Sequence, residues 1–156
     1  MTQLKPRFLL DENLNRLAKW LRMLGYDAAV YKRISVQKQI NLAIKERRLI
    51  LTRNRKTAKS ALKFNRVLIA EDNHIKQLQE IIDMIRYDED LIFSRCLDCN
   101  KLLFDIDKKK IEELVPEYVF KNFHEFKVCR RCGRIFWQGS HFDDMKNKLL
   151  QLFSFK

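Results

Sequence analysis

Glycine is scarce in this chain, with three in 156 residues. A phosphate-cradling loop or a dinucleotide fingerprint needs clustered glycines where the backbone meets phosphate, and neither pattern is present. Long apolar runs are missing as well. The longest near the start is Phe8-Leu9-Leu10, too short for a signal-peptide core or a membrane span. No targeting signal, internal repeat or low-complexity tract is visible, so the expected compartment is the cytoplasm, with no membrane partner. Thiols stay reduced there, and paired cysteines hold metal more often than they form disulfides. What remains is an ordinary globular composition, 46% hydrophobic and 33% charged. The length suits one compact domain or a small domain with a minimal module.

Charge is unevenly spread. The net formal charge is +12. Residues 1–95 hold 20 Lys/Arg against 11 Asp/Glu, a net of +9, and residues 96–156 hold 12 against 9, a net of +3. Four thiolates on one Zn²⁺ would add about −2 to the second part and leave it near neutral. Between Lys45 and Arg66 stand nine basic residues, among them Arg53, Arg55, Lys56 and Lys59, against the single acid Glu46. Such a field favours polyanions, nucleic acid above all.

The first part alternates strand and helix signals. Apolar runs at Arg7–Leu10, Ala28–Tyr31, Leu49–Leu51 and Val67–Ile69 read as strands. Leu14, Leu17, Ala18, Leu21 and Leu24 recur at helical spacing before Gly25, as do Val36, Ile40, Ala43 and Ile44. A basic helix is expected over Arg55–Lys63 and an amphipathic one over Ile75–Ile85. This alternation predicts an α/β fold with a mostly parallel sheet flanked by helices. Tyr87–Asp90 is the expected junction, dividing the chain into 1–90 and 91–156. Beyond it, short strands are expected near Phe93, Leu102, Phe126 and Ile135, a helical insertion over Lys108–Leu114 stopped by Pro116, and a last helix from Ser140.

The four cysteines fall as C-x₂-C, 29 residues, C-x₂-C: Cys96, Cys99, Cys129 and Cys132. Two residues between cysteines let both sulfurs face one ion from a tight turn. The turn needs a residue tolerant of positive φ after the second cysteine, and Asn100 and Gly133 stand there. All four thiols are used, so the expected site is a closed, structural Zn²⁺ site in a small zinc ribbon.

In open parallel sheets, ligands sit beyond the carboxyl ends of the strands. Those ends carry Asp11-Glu12, Thr52-Arg53-Asn54 and Glu71-Asp72. Carboxylates gathered there could hold Mg²⁺ or Mn²⁺ and support phosphodiester hydrolysis. Asp11 and Asp72 each also precede a helix, where an acid serves as a cap.

These residues resemble a known family. Phe8–Asn13 with Leu17–Asp27, Glu46–Arg53, Gln77-Leu78 with Glu80, Arg95–Asn100, and Trp137 with Gly139-Ser140-His141 resemble, in order, the Mut-seven C-terminal RNase family. These are PIN-like domains fused to a zinc ribbon, and the resemblance covers nearly the whole chain. It implies a PIN-like fold, RNA as substrate and a divalent-metal ribonuclease activity. Two departures stand out. Relatives usually read Leu-Thr-Arg-Asp where this chain has Leu51-Thr52-Arg53-Asn54, and carry acids where it has Val36-Gln37-Lys38-Gln39. Both remove negative charge, and a hard dication needs that charge, so metal affinity is expected to fall.

The expected protein is therefore an RNA-binding, metal-dependent ribonuclease with a weakened acidic site and no organic cofactor. Asp11 is the expected principal metal ligand, with Asp72, Glu12 and Asn54 as helpers. Arg22, Arg53 and Arg55 are expected on phosphate, with Lys56 and Lys59 beside them. Trp20 and Trp137 are expected in the core or at the module interface. Asn54 and the missing acids also suit a non-catalytic RNA-binding or assembly factor. A DNA-binding zinc-ribbon regulator is a further alternative, disfavoured by the near-neutral ribbon and the lack of a reading helix.

Overall fold

Alternation within two short strands decides how the sheet is covered. Strand β1 (Phe8–Leu10) sends Phe8 and Leu10 to one face and Leu9 to the other; in β3 (Leu49–Thr52), Leu51 faces with the first pair and Ile50 with Leu9. Period-two side chains on a strand buried from both sides leave no polar face. With β2 (Ala28–Val30) and β4 (Arg66–Leu68) these strands form a parallel sheet in the order β2-β1-β3-β4. Phe8 lies beside Ala28 on one side and Leu49 on the other, and Ile50 lies beside Arg66. A computed structural model describes residues 4–60 and 65–156, without the side chain of Ser60.

Helix α2 (Val36–Glu46) covers the Leu9 face through Ile40 and Ala43. The opposite face is covered by α1 (Asn15–Met23), α4 (His74–Glu80) and α6 (Ser140–Ser154). The last of these, expected with the second module, places Phe142, Met145, Leu149 and Leu152 in the same cluster as Phe8, Leu21 and Leu78. Gly25 ends α1 at φ +86°, and a Cβ there would lie 2.7 Å from the Leu91 carbonyl oxygen. Both the left-handed conformation and the close approach exclude a side chain.

Beyond residue 90, β5 (Phe104–Ile106), β6 (Phe126–Val128) and β7 (Ile135–Phe136) form an antiparallel sheet in sequence order. The parallel sheet flanked by helices, followed by the four-cysteine segment, is the architecture the alternation predicts.

Three local readings are corrected, and a fourth runs past the described residues. The helix expected over Ile75–Ile85 ends at Glu80 and continues only as a 3₁₀ turn at Ile82–Met84. Helix α3 (Arg55–Ser60) is the start of the expected basic helix, and Lys63 lies outside the described residues. Phe93 is in a turn at φ +60°, its ring against Phe136 and Phe142, and Leu102 forms a single bridge with Arg95. Pro116 opens a helix and does not stop one. Only Lys108–Lys110 is helical before it, whereas α5 (Glu117–Asn122) begins directly after it. A residue without N–H and with fixed φ is tolerated at a helix start, where that N–H has no partner.

Candidate functional site

The strand order places a switch point between β1 and β3. From β1 the chain crosses to β2 on one side, then returns to β3 on the other, so the connections diverge above the carboxyl ends of the central strands. Asp11 follows β1 at that point. Its carboxylate is not a helix cap, since it accepts nothing from the 3₁₀ turn it precedes. Instead Oδ2 accepts from Thr52 Oγ1 at 2.6 Å and from the Arg53 backbone N–H at 2.8 Å, while Oδ1 accepts from Gln39 Nε2 at 2.8 Å. Thr52 is fully buried and also accepts from the Asn54 N–H at 3.0 Å. An ionised carboxylate has about four lone-pair directions. Three are used here, all by uncharged donors, so Asp11 is oriented and keeps one direction open on Oδ1.

Around this carboxylate opens a cleft of about 510 Å³ lined by Asp11, Glu12, Arg33, Gln39, Asn54 and Thr57, among others. Asp11, Glu12 and Asn54 are therefore brought together. Asn54 Oδ1 is turned to the backbone, accepting from the N–H groups of Lys56 at 2.8 Å and Thr57 at 3.4 Å, and so caps α3. Asp72 is elsewhere. Its side chain is 90% exposed and pairs with the Arg53 guanidinium at 2.5 Å. It does not cap α4 either; Asn73 does, through Ile75 N–H and Lys76 N–H. Arg55, Lys56 and Lys59 are exposed on α3 and free to meet a polyanion, while Arg53 is half-buried. Among the described residues, the strand-end acids form no group of three within metal-binding distance.

The four cysteines do form one. Their sulfurs all lie within 4.8 Å of one another, Cys96 Sγ and Cys132 Sγ at 4.0 Å. Each C-x₂-C turn closes on itself: the Asn100 N–H donates to the Cys96 carbonyl at 3.0 Å and the Gly133 N–H to the Cys129 carbonyl at 2.8 Å. Asn100 and Gly133 have φ of +61° and +74°, the conformation the spacing predicts. Four soft donors with no open position fit one tetrahedral Zn²⁺.

Asn100 also joins this segment to the sheet. Its Oδ1 accepts from the Ala28 N–H at 3.0 Å and its Nδ2 donates to Asp27 Oδ1 at 2.7 Å. Asp27 is paired further with Arg48 at 2.7 Å and Arg7 at 3.0 Å. Burial pushes its pKa up, but Arg48, Asn100 and Arg7 outweigh that and hold it at about 2. Ala28 starts β2 whereas Asp11 follows β1, so the cysteine segment meets the sheet at the end opposite the cleft. Arg22, expected on phosphate, is corrected by its surroundings. It is buried, and donates to the carbonyls of Ala28 at 2.9 Å, Leu97 at 2.6 Å and Asp98 at 3.4 Å. It ties α1 to the first cysteine turn.

A family profile described as Mut7-C RNAse domain matches residues 6–149. That span includes β1, the switch-point carboxylate, all four cysteines and most of α6. The chain belongs to the Mut7-C RNAse domain family. No curated protein and no solved structure matches it significantly. Among the described residues, no helix is long and apolar enough to cross a membrane.

Within this Mut7-C member, sequence reading missed Thr52 and Gln39 as partners of Asp11. Gln39 carried a readable signal. It sits beside Ile40 and one turn after Val36, a polar residue on the buried side of an amphipathic helix, where a side-chain amide needs a partner. Thr52 gave none, because threonine at a strand end is ordinary.

Proposed function

We propose that this chain binds RNA across the strand-end cleft and hydrolyses phosphodiester bonds there slowly, with one divalent ion. The observation that carries this reading is Asp11, fixed at the sheet's switch point with one lone-pair direction open. The donor set fits a single weakly held Mg²⁺ or Mn²⁺ and not a pair. Mg²⁺ keeps several waters and needs only one or two carboxylates with substrate phosphate, and Asp11 and Glu12 supply two. When bound, the ion would polarise a phosphoryl oxygen and activate water. Thr52 and the Arg53 N–H fix the direction of the Asp11 carboxylate. Arg53, Arg55, Lys56 and Lys59 hold backbone phosphates, charge-assisted contacts that neutralise the strand without reading its bases. The Arg53–Asp72 pair opens when phosphate competes, since Asp72 is almost wholly in water. In the same reading Cys96, Cys99, Cys129 and Cys132 hold one structural Zn²⁺.

The experiment is cleavage of single-stranded RNA with Mn²⁺. Wild type is expected to cleave slowly, Asn54→Asp faster, and Asp11→Asn not at all. Zinc is assayed before and after EDTA treatment, because stripping the thiolate site would unfold the ribbon and mimic lost catalysis. RNA affinity should fall steeply with salt as counterions are released, and reversing charge at Arg53, Arg55 and Lys59 should weaken all sequences alike. Equal cleavage by wild type and Asp11→Asn would end the carboxylate assignment.

One observation favours a second reading. The Gln39 amide occupies Asp11 Oδ1 where relatives carry acids nearby, so the cleft is stable without an ion. In that reading the chain is a non-catalytic RNA-binding or assembly factor. Tight RNA binding with no cleavage by wild type or Asn54→Asp would select it.

A further inference from the structure

A second cleft, of about 660 Å³, opens between α1, α4, α6 and β7 and shares no lining residue with the strand-end cleft. We infer that it takes one nucleotide of a single-stranded RNA, the base against Trp137 and His141 and the phosphate against Arg16 and Lys148. The volume lies within the range of small-molecule sites. Its wall is aromatic. Trp137 is half-buried at the rim, and a Cβ on Gly139 would stand 3.0 Å from Trp137 Nε1. The indole lies close against the backbone at Gly139, packs on the Phe126 cluster and lines the cleft. His74 and Trp20 stack deeper in, ring centroids 5.9 Å apart at 15°.

The charges around the aromatics select the occupant. Asp98 is neutralised within the cleft by Lys19 at 3.0 Å and by Arg134. Among the described residues Arg16 and Lys148 are in no ion pair, and both are exposed. Burial, Arg16 and Lys148 together lower the pKa of His74, which places both cations' field over the cleft. Asp144 is the one lining acid that remains unpaired among the described residues. An apolar segment would leave the two cations without a counterpart, and an acidic peptide would leave the aromatics without one. A nucleotide uses both: every base has a π-face, and phosphate takes the charge. The RNA reading of the strand-end cleft supplies the identity of the polymer; the chemistry of this cleft stands apart from it.

The test uses the full-length, zinc-loaded protein with adenosine monophosphate, an adenylate trimer and a labelled adenylate 12-mer. Trimer binding is read from tryptophan fluorescence and 12-mer binding from anisotropy. Arg16→Glu combined with Lys148→Glu should abolish the trimer's quenching and weaken the 12-mer by about tenfold or more. Trp137→Leu keeps the apolar contact with the Phe126 cluster but removes the π-face, and should weaken the 12-mer by a similar factor. Should that variant lose zinc or fold, the surface double variant decides alone. Charge reversal at Arg53 and Arg55 should weaken the 12-mer and leave the trimer's quenching intact. If only that last variant fails to act, the strand-end reading is wrong and this one stands. The inference is overturned if the Arg16/Lys148 variant binds trimer and 12-mer like wild type. Adenosine monophosphate binding as tightly as the trimer would overturn the strand assignment in favour of a free nucleotide. Equal competition by hexaglutamate would overturn it in favour of an acidic protein segment.

Discussion

Two aspartates mark the two ends of the parallel sheet, and their surroundings differ in kind. Asp27, at the amino end, is compensated by Arg48 and Arg7 and tied by Asn100 to the first cysteine turn. Asp11, at the carboxyl end, is held by a glutamine amide, a threonine hydroxyl and a backbone N–H, and among the described residues no cationic group donates to it. A carboxylate whose charge is cancelled is a structural tie. One that is aimed but not neutralised keeps its charge available for an ion or a substrate. The same residue type is therefore neutralised at one end and left with its charge at the other, and the donors decide which.

The most severe perturbation removes a thiol from the four-cysteine cluster behind the amino end. Cys129→Ser should lose the zinc, about one per chain, and cost on the order of 4 kcal/mol or more. With the first turn loosened, Asn100 no longer holds Ala28 and Asp27. Metal analysis and urea unfolding measure both effects, and a metal-free wild type that is fully folded would refute the zinc assignment.

Asp27→Asn comes next, at about 2 kcal/mol at pH 7, from a folded pKa near 2 against an ordinary 3.8. Because the folded value is depressed, this stability is complete above about pH 4 and drains away as pH falls toward 2. The gap between wild type and variant in urea should close over that window. Asp11→Asn supplies the contrast. Its remaining oxygen can accept from Thr52 and Arg53 while Gln39 turns its amide over to accept from the new NH₂. It should stay within about 1 kcal/mol of wild type. Equal losses at the two aspartates would erase the distinction between tie and site.

Gln39→Glu perturbs the carboxyl end by replacing a donor to Asp11 with a second carboxylate at hydrogen-bond distance. Without metal the like charges should cost about 1 kcal/mol at neutral pH, and Mn²⁺ should restore the loss. A melting series with and without Mn²⁺ reads this directly, and a variant indifferent to Mn²⁺ would argue against an ion at Asp11.

The smallest change in stability is expected from Asn54→Asp. Aspartate caps as well as asparagine and interacts favourably with the start of α3, so stability should change by no more than about 0.5 kcal/mol. Mn²⁺ affinity should nevertheless rise, seen in calorimetric titration, because the cleft gains a charge. A large gain in stability with no gain in affinity would show the carboxylate engaged only as a cap.

Much of this was legible in the chain because it is local. The period-two runs at Phe8–Leu10 and Leu49–Leu51, the helical spacing before Gly25 and the two C-x₂-C turns each depend on residues a few positions apart. Pro116 misled because proline marks a helix boundary without saying on which side the helix lies. Arg22 misled for another reason. An arginine in the last turn of a helix reads as exposed until Leu97 and Asp98, 75 and 76 residues away, present their carbonyls to it.

The alternation of strands and helices, the cysteine turns and the sign of the charge on α3 follow from backbone geometry and composition over short spans of the chain. Tertiary structure decided what each polar residue does. Asp11 and Asp72 stand at equivalent strand ends in the sequence, yet only Asp11 meets Gln39, Thr52 and the Arg53 N–H, while Asp72 lies in solvent beside Arg53. A carboxylate's role depends on which donors reach it and how much water remains. Those are fixed by strand order and helix packing across tens of residues, distances at which a sequence pattern carries no geometry.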